Sequence, residues 1–349
     1  MTHMPVMKLS ARLMSITLLA AASLLGCGYD SSGPGYSQGP PASVNGLWMA
    51  AASNPALLRL DPSQFLTGAQ APATAISTPS ANLFELNGIT FDTDGTMWVT
   101  SDNDSKLLAF PPASLSRSGS TPASIVITSN DGSLSRPSAI ALDKQHHLWV
   151  ANFGNHTIVR FESSELARSG AAVSTLFIDT GVNPSSLAFD AAGNLWVASI
   201  QSNKIFSYNH LQQQTAGVLE PNIVISTNGA SLQHPSGMAF DAAGNLWVGS
   251  ITNSRIDAFT PAQLAASGSP TPAVTISSNG TSLAGPVSLA FDGEGSLWVM
   301  EDGGTLDAFA GAALHASGAP APALSLTVAG YSLFWNIAFW PKVTGLPIN

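Results

Sequence analysis

The sequence is poor in charge. Only 9% of its 349 residues are Asp, Glu, Lys or Arg, whereas a globular domain typically has about a quarter. The charges are also unbalanced, with 12 basic and 21 acidic residues and a formal net charge of −9. No basic cluster is present, and nucleic acids are bound through such clusters. The composition therefore argues against a nucleic-acid partner.

Cysteine is nearly absent as well. Cys27 is the sole cysteine, so no disulfide can form within the chain. It follows a short basic segment and an apolar run, Leu13 to Leu25, that is too short to span a membrane. The run ends in Leu24-Leu25-Gly26-Cys27, which looks like a bacterial lipobox. We therefore predict a lipoprotein signal peptide over residues 1–26 and lipidation at Cys27, including a palmitate; the alternative is an incidental buried cysteine.

The residues after Cys27 indicate where such a lipoprotein would reside. Position 28 is Gly rather than Asp, which resembles lipoproteins sorted to the outer membrane. Residues 27–43 comprise the lipidated cysteine and a Gly/Ser/Pro-rich segment without periodicity, which is typical of a flexible tether. We expect a protein of the bacterial cell envelope, attached to the outer membrane by its N-terminal lipid, with its folded domain over residues 44–349.

Several catalytic motifs are missing. The sequence has no Ser-His-Asp set, no Gly-rich phosphate loop and no Cys/His metal motif. These absences argue against the hydrolytic, phosphoryl-transfer and zinc chemistries that depend on them.

What the sequence does contain is a long repeat. A Trp followed by an aliphatic residue or Met recurs every 47 to 51 residues, a period that indicates stacked or radially arranged units. The positions are Trp48, Trp98, Trp149, Trp196, Trp247 and Trp298. We expect these side chains to form the core between units.

One repeat shows its strands clearly. We predict strands over Ser236–Phe240, Leu246–Ser250, Arg255–Phe259 and Ala273–Ser277, with a helical turn over residues 261–268. The strands are apolar on both faces, as expected for a sheet packed between two others. Four antiparallel strands per repeat describe a propeller blade.

The two ends of the domain complement each other. The first repeat opens at Gly46–Met49 without an inner strand, and Trp335–Phe339 resembles an inner strand with no second strand after it. We therefore predict an all-β fold: a six-bladed β-propeller with four-stranded blades, in which the C-terminal strand completes the first blade. Ring closure also removes exposed sheet edges.

The repeat Pro-x-Gly-x-Ala-x-Asp-x-x-Gly-Asn-Leu-Trp-Val, together with Asn155-His156-Thr157-Ile158, resembles the NHL-repeat propellers and the wider group with gluconolactonases and the streptogramin lyase. The resemblance implies, for lactonase-like members, a Ca²⁺ or Zn²⁺ held at the channel mouth by Glu, Asn and Asp. Asn87 matches the Asn. The slot of the Asp reads Ser138, Ser185, Ser236 and Val287. A hydroxyl is a poor substitute for a carboxylate around a hard cation, and the catalytic His and Glu of the lyase have no counterpart.

In such a blade, the loop before the inner strand and the loop after the second strand meet at the channel mouth. Converging Ser, Asn and carboxylate side chains could bind a sugar, a peptide or a cation there. The candidates are Glu85, Asn87, Asp102, Asn152, Ser199, Ser250, Glu301 and Asp302. The Asp residues of the Asp-x-x-Gly turns lie at the opposite end, where we interpret them as turn caps.

The leading hypothesis is a non-catalytic binding or scaffold module that presents this loop face to a small molecule, a glycan or a protein. We expect a monomer without a cofactor. The alternative is a divalent-metal lactonase or hydrolase that holds Ca²⁺ or Zn²⁺ at Glu301, Asp302, Glu85 and Asn87; a lyase is a third reading.

Overall fold

A computed structural model of the protein describes residues 45–52, 54–77 and 85–341. The predicted signal peptide, Cys27 and the tether lie outside the described residues. Within them, the chain forms six β-sheets, which confirms the predicted six-bladed β-propeller. The short helices are one α-helical turn, Pro112–Leu115, and 3₁₀ turns at Pro62–Gln64, Gln212–Gln214, Gln263–Ala265 and Gly311–Leu314. In the part of the chain so described, no helix has the length and apolar character needed to cross a membrane.

The strands are short and follow one another at regular intervals. In chain order they are β1 (Gly46–Ala51), β2 (Ala56–Leu60), β3 (Gly68–Gln70), β4 (Thr74–Ser77), β5 (Leu86–Phe91), β6 (Met97–Ser101), β7 (Lys106–Phe110), β8 (Gly119–Ser120), β9 (Ile125–Thr128), β10 (Pro137–Leu142), β11 (Leu148–Asn152), β12 (Thr157–Phe161), β13 (Gly170–Ala171) and β14 (Leu176–Asp179). They continue with β15 (Pro184–Phe189), β16 (Leu195–Ser199), β17 (Lys204–Tyr208), β18 (Gly217–Val218), β19 (Ile223–Ser226), β20 (Pro235–Phe240), β21 (Leu246–Ser250), β22 (Arg255–Phe259), β23 (Val274–Ser277), β24 (Pro286–Phe291), β25 (Leu297–Glu301), β26 (Thr305–Phe309), β27 (Leu324–Val328) and β28 (Phe334–Trp340).

Each blade is an antiparallel sheet whose strand order runs from the channel outwards. Blades 1 to 6 have the main orders β28-β1-β2-β4, β5-β6-β7-β9, β10-β11-β12-β14, β15-β16-β17-β19, β20-β21-β22-β23 and β24-β25-β26-β27. In blade 5, β21 and β22 have the predicted bounds, while β20 begins one residue earlier and β23 one residue later than predicted.

The ring is closed by the C-terminal strand. β28 pairs antiparallel with β1, with Phe339 opposite Leu47 and Ile337 opposite Met49. Phe334 and Ile337 are buried at 0% and 4% exposure, and burying each side chain contributes about 1.5–3 kcal/mol. This pairing confirms that the last strand completes the first blade.

The repeated Trp side chains form the core between blades, as predicted. A Trp on the second strand packs edge-on against the Phe of the next blade's inner strand, at centroid distances of 5.9–6.4 Å. The pairs are Trp48–Phe91, Trp149–Phe189, Trp196–Phe240, Trp247–Phe291 and Trp298–Phe339. The last pair joins blade 6 to blade 1, so the contact continues across the closure.

The Asp-x-x-Gly turns hold these Trp side chains in place. In blade 5, Asp241 accepts the backbone N–H of Asn245 at 2.9 Å and the indole N–H of Trp247 at 2.9 Å. The same indole bond is made by Asp143, Asp190 and Asp292, at 2.8–3.1 Å. The carboxylates therefore cap the turns, as interpreted from the sequence, and also orient the interblade core.

The outer edge of the ring differs from the prediction of four strands. In blades 1, 2, 3 and 6, the outer strand gains a short parallel fifth strand from the neighbouring blade: β8, β13, β18 and β3. Next to β8 and β13, Ser118 and Ser169 accept an outer-strand N–H through their hydroxyl oxygens, each at 3.0 Å. In blades 4 and 5, where the neighbouring blade adds only a single parallel bridge residue, Ser267 and Ser317 accept the equivalent N–H at 3.0 Å. The physical reason for the extra strands is that an outer edge left unpaired exposes backbone groups that can template aggregation.

Candidate functional site

Every inner strand is irregular at the end where it begins. The antiparallel register shifts within the first residues of β5, β10, β15, β20, β24 and β28. A β-bulge re-aims the side chain that it contains. The bulge side chains form a ring that lines a central cavity of about 700 Å³: Asn87, Ser138, Ser185, Ser236, Val287 and Trp335.

Farther along the inner strands, the cavity wall becomes aliphatic. Its second ring consists of Ile89, Ile140, Leu187, Met238, Leu289 and Ile337, all 4–6% exposed. Neighbouring inner strands approach closely between the two rings: a Cβ added at Gly237 would lie 2.6 Å from the Cα of Ser288. Only glycine fits that contact. The cavity is therefore a narrow apolar chamber bounded by backbone that cannot spread.

The open end of the cavity, which we call its rim, also includes the residue that follows each second strand. Backbone N–H groups of Asp102, Phe153, Ile251 and Asp302 donate to the carbonyl of the residue before the neighbouring inner strand, at 2.9–3.3 Å, so the four positions are equivalent. Asp102, Phe153, Ile200 and Ile251 line the cavity. The rim is thus charged at blade 2 and apolar at blades 3, 4 and 5.

Blades 2 and 3 share the polar part of the rim. Arg136 binds Asp102 through two bonds, Nε to Oδ1 at 3.0 Å and Nη2 to Oδ2 at 3.3 Å. Asn87 donates its side-chain N–H to Asp102 Oδ2 at 3.2 Å, and the guanidinium lies 5.3 Å from the ring centroid of Phe153. Asp102 is therefore oriented and neutralised by groups from both blades.

Glu85 lies beside this cluster and differs from Asp102 in its surroundings. It is exposed, its backbone adopts the left-handed conformation with φ of 49°, and its carbonyl accepts the N–H of Asp102 at 3.1 Å. Among the described residues, its carboxylate makes no hydrogen bond or ion pair. Asp102 is the neutralised carboxylate of the rim and Glu85 is the free one.

The structure places the predicted site residues in two groups. Glu85, Asn87 and Asp102 line the cavity together. Asn152, Ser199 and Ser250 are fully buried, Glu301 is 3% exposed, and Asp302 is exposed at the rim of blade 6.

The reason for the split is strand alternation. Asn152, Ser199, Ser250 and Glu301 end the second strands, one residue before the rim position, and adjacent strand residues point to opposite sides. The sequence analysis therefore placed these four side chains at the mouth, whereas the structure places them inside the blades. It missed Phe153, Ile200 and Ile251, which a one-residue shift from Asn152, Ser199 and Ser250 would have found.

Asn152 and Glu301 have a structural role that their hydrogen bonds show, whereas the buried hydroxyls of Ser199 and Ser250 have no partner among the described residues. Asn152 accepts the N–H of Ser135 at 3.0 Å and donates to the carbonyl of Ser133 at 3.0 Å, so it fastens the loop before β10. Glu301 accepts the N–H of Leu283 at 2.5 Å in the equivalent loop of blade 6.

Glu301 also contacts a second buried acid. Burial raises the pKa of Glu301 to about 7, and a hydrogen bond with Asp307 and the negative charge of Asp307 contribute to the same shift. Asp307 is fully buried, and among the described residues only a protonated Glu301 offers its carboxylate a donor. A protonated Glu301 would therefore supply the donor that the carboxylate of Asp307 otherwise lacks among the described residues.

The serines at the position of the lactonase-type Asp make hydrogen bonds that hold neighbouring blades together. Ser138, Ser185 and Ser236 donate to the carbonyls of Pro184, Pro235 and Pro286 in the next blade, at 2.8, 3.0 and 2.5 Å. They are bridges between blades. Among the described residues, no group of three or more His, Cys, Asp and Glu side chains could hold a metal ion.

Comparison with known proteins supports the architecture. Residues 134–161 match the NHL repeat, and no curated protein matches the chain. Among solved structures, the chain is similar to the propeller in a nidogen/laminin complex, with 16% identity over 83% of this chain and 96% of that one and a TM-score of 0.58. A protein of unknown function from Bacteroides caccae is 10% identical over 83% and 97%, with a TM-score of 0.57.

A streptogramin-lyase structure is also similar. A catalytically inactive virginiamycin B lyase from Staphylococcus aureus with quinupristin is 15% identical over 76% of this chain and 82% of that one, with a TM-score of 0.50. The protein is therefore a six-bladed propeller that contains a match to the NHL repeat and whose fold resembles that of the lyase. At these identities the similarity establishes the fold alone.

Proposed function

We propose that the protein is a non-catalytic binding module that holds a small organic molecule in the central cavity of its propeller. The observation that carries the proposal is the cavity itself: about 700 Å³, aliphatic in its depth and polar on one side of its rim. Small-molecule sites typically measure about 300–1,000 Å³ and combine an apolar wall with a few polar groups.

The cavity wall supports binding rather than catalysis. Its described lining residues include no His, Cys, Lys or Tyr, the side chains that most often transfer protons or attack substrates near neutral pH. The carboxylate of Asp102 is held by Arg136. A general base in this cavity would have to be the exposed Glu85.

The proposal can be tested with a neutral hydrophobic dye. Nile red should become fluorescent on binding the wild-type protein, and Ser186→Trp should abolish the signal, because Ser186 lines the cavity. Ser164→Trp, which changes an exposed turn residue, is the matched control and should bind the dye normally. Equal binding by wild type and Ser186→Trp would place the dye elsewhere and count against the proposal.

A divalent-metal hydrolase is the second candidate. It is favoured by the proximity of Glu85, Asn87 and Asp102, three oxygen donors on blade 2 that line one cavity, because hard cations prefer such ligands. It is opposed by Arg136, which occupies both oxygens of Asp102. Metal analysis of the purified 28–349 chain separates the two: we expect no stoichiometric Ca²⁺ or Zn²⁺, and a bound equivalent lost in Asp102→Asn would establish the hydrolase reading instead.

We further propose that the module is anchored to the bacterial outer membrane through lipidated Cys27. The support is the Leu24-Leu25-Gly26-Cys27 sequence. Cys27→Ser should release the protein into the soluble fraction of cells that express it, and membrane association that survives the substitution would refute the anchor.

A further inference from the structure

We infer that the cavity selects organic cations: amines with an apolar body, whose ammonium group is held at the rim of blade 2 by Glu85 and Asn87. The inference rests on the proposed binding function and specifies its ligand class. It follows from the charge of the rim, from the direction of its hydrogen-bonding groups and from the position of its apolar side.

The first step concerns charge. The charged side chains that line the cavity in the described part of the chain are Glu85, Asp102 and Arg136. Arg136 and Asp102 neutralise each other through a bidentate pair, which leaves Glu85 as the uncompensated negative charge among the side chains that line the cavity. Asp302, at the equivalent rim position of blade 6, is a second exposed carboxylate outside that lining. The chain as a whole carries −9. Its field therefore attracts cations and repels anions at the channel mouth.

The second step concerns hydrogen-bonding direction. Asn87, which lines the cavity, uses a side-chain N–H as a donor to Asp102, and its amide oxygen accepts no hydrogen bond from the described residues. Ser138, Ser185 and Ser236 spend their hydroxyl hydrogens on carbonyls of the next blade. The rim groups are thus left mainly as acceptors, and an ammonium group is a ligand made only of donors.

Arg136 is the one strong donor at the rim. Its Nε and Nη2 are bound to Asp102, and its guanidinium lies over Phe153. Its remaining N–H groups are the two on Nη1 and the second on Nη2, and a carboxylate ligand that used them would share the rim with the charge of Glu85. A sugar would require donors and acceptors in equal measure, which this rim does not offer.

The third step concerns the apolar side. Val287 and Trp335 occupy the bulge positions in blades 6 and 1, and Ile251 occupies the rim of blade 5. In a six-membered ring, blades 5 and 6 face blades 2 and 3. A ligand with its ammonium at Glu85 would therefore direct its apolar body towards Val287 and Ile251 and the aliphatic ring below, while Trp335 would flank it from the adjacent blade 1.

A matched series of ligands tests the inference. The probes are 4-phenylbutylamine, 4-phenylbutan-1-ol and 4-phenylbutyrate, measured by calorimetry and by displacement of Nile red at pH 7.5 and low salt. We expect the amine to bind about fivefold more tightly than the alcohol, the magnitude of one exposed ion pair, and the carboxylate to bind most weakly. The preference should shrink at high salt.

Two variants test whether the carboxylate of Glu85 is the negative charge that favours the amine. Glu85→Gln should make the amine and the alcohol bind equally. Glu294→Gln makes the same charge change at an exposed position in the turn after β24, at the other end of the blade, and should leave the preference intact. Both positions are exposed, so unchanged melting temperatures would verify folding.

The outcomes separate this inference from the function on which it rests. If the alcohol binds the wild-type protein as tightly as the amine, the cation selectivity is refuted while cavity binding stands. If neither Nile red nor any of the three probes binds, both proposals fail. A preference for the amine that both variants retain would assign the selectivity to another group and refute the role of Glu85.

Discussion

The two ends of the propeller differ in how closely the blades resemble one another. The turn end carries the Asp-x-x-Gly turns, and the mouth end carries the bulge residues and the rim of the cavity. At the turn end, blades 3 to 6 repeat one arrangement, an Asp that caps its turn and accepts an indole N–H. At the mouth end, the same structural position is Asn87 in blade 2, Ser in blades 3 to 5, Val287 in blade 6 and Trp335 in blade 1. The repeat therefore builds a uniform scaffold at one end and leaves the other end free to differ.

The physical reason is the range of the contacts. Asp241 and Trp247 belong to one hairpin, so their geometry is set within the repeat and is the same wherever the repeat occurs. The ion pair of Asp102 with Arg136 joins two blades, and its existence depends on which blades are neighbours. We infer that stability is concentrated at the turn end and ligand recognition at the mouth end, and the predictions below test this division.

The largest effect on stability should come from removing the strand that closes the ring of blades, because both ends of the propeller depend on that closure. A chain ending at Tyr331 lacks β28, so blade 1 loses its inner strand and the cavity loses Trp335 and Ile337. We expect loss of the cooperative thermal transition, followed by circular dichroism. A chain ending at Pro341 keeps β28 and serves as the control. If the shorter chain melts like the control, ring closure does not stabilise the fold.

The next largest effect should be at the turn end. Asp241→Ala removes the acceptor of four hydrogen bonds, from the backbone of Ala243 and Asn245 and from the side chains of Asn245 and Trp247. We expect the free energy of unfolding in urea to fall by about 2–4 kcal/mol, since bonds to a charged acceptor contribute about 1.5–3 kcal/mol each and are not additive. Glu294→Ala, in the equivalent turn of blade 6, should change it by less than about 0.5 kcal/mol. Equal effects would deny the capping role.

A pH effect should come from the buried acids of blade 6. Since burial and Asp307 raise the pKa of Glu301 from 4.5 to about 7, the folded state retains a proton that the unfolded chain loses. The contribution of Glu301 to stability should therefore be complete below pH 4.5 and decline as the pH rises to about 7, by an amount on the order of 1–3 kcal/mol, measured as the difference between wild type and Glu301→Gln. Glu301→Gln keeps the acceptor for Leu283 and supplies a permanent donor to Asp307, so the decline should be absent from its urea unfolding curves. A decline of the same size in the variant would assign the effect to other groups.

The smallest effect on stability should be at the mouth end. Ser236→Ala removes one hydroxyl bond to Pro286, and we expect a loss of about 1 kcal/mol by urea unfolding, the usual net value of a neutral hydrogen bond. Because Ser236 and Asp241 lie on the same blade, the two variants compare the ends directly. A loss for Ser236→Ala that equals the loss for Asp241→Ala would contradict the proposed division.

Some features of the fold were accessible from local pattern. The strands β21 and β22 have the predicted bounds because turn residues mark both of their ends, and β28 was recognisable because it repeats an inner strand. The fifth strands were not predicted. The glycines of β8 and β13 are visible in the sequence, but their partners belong to another blade and lie more than forty residues away.

The site was harder to predict for a related reason. Asn152, which ends a second strand, and Asp102, which follows one, were both predicted to lie at the channel mouth. The hydrogen bonds show that the equivalent of Asp102 is Phe153, and one residue of offset exchanges a rim side chain for a buried one. Glu301 and Asp302 are adjacent in the sequence, yet the first is buried and the second exposed.

The sequence by itself determined the repeat, its strands and turns, and the closing strand, because each of these depends on residues that are close along the chain or on a copy of the same pattern. The tertiary structure alone decided which polar groups meet. The pairing of Asp102 with Arg136, the burial of Glu301 beside Asp307, and the free carboxylate of Glu85 at an apolar cavity all arise from side-chain direction and blade contacts. Such interactions depend on distances of a few ångströms that strand spacing and bulges set, and the linear pattern does not encode them.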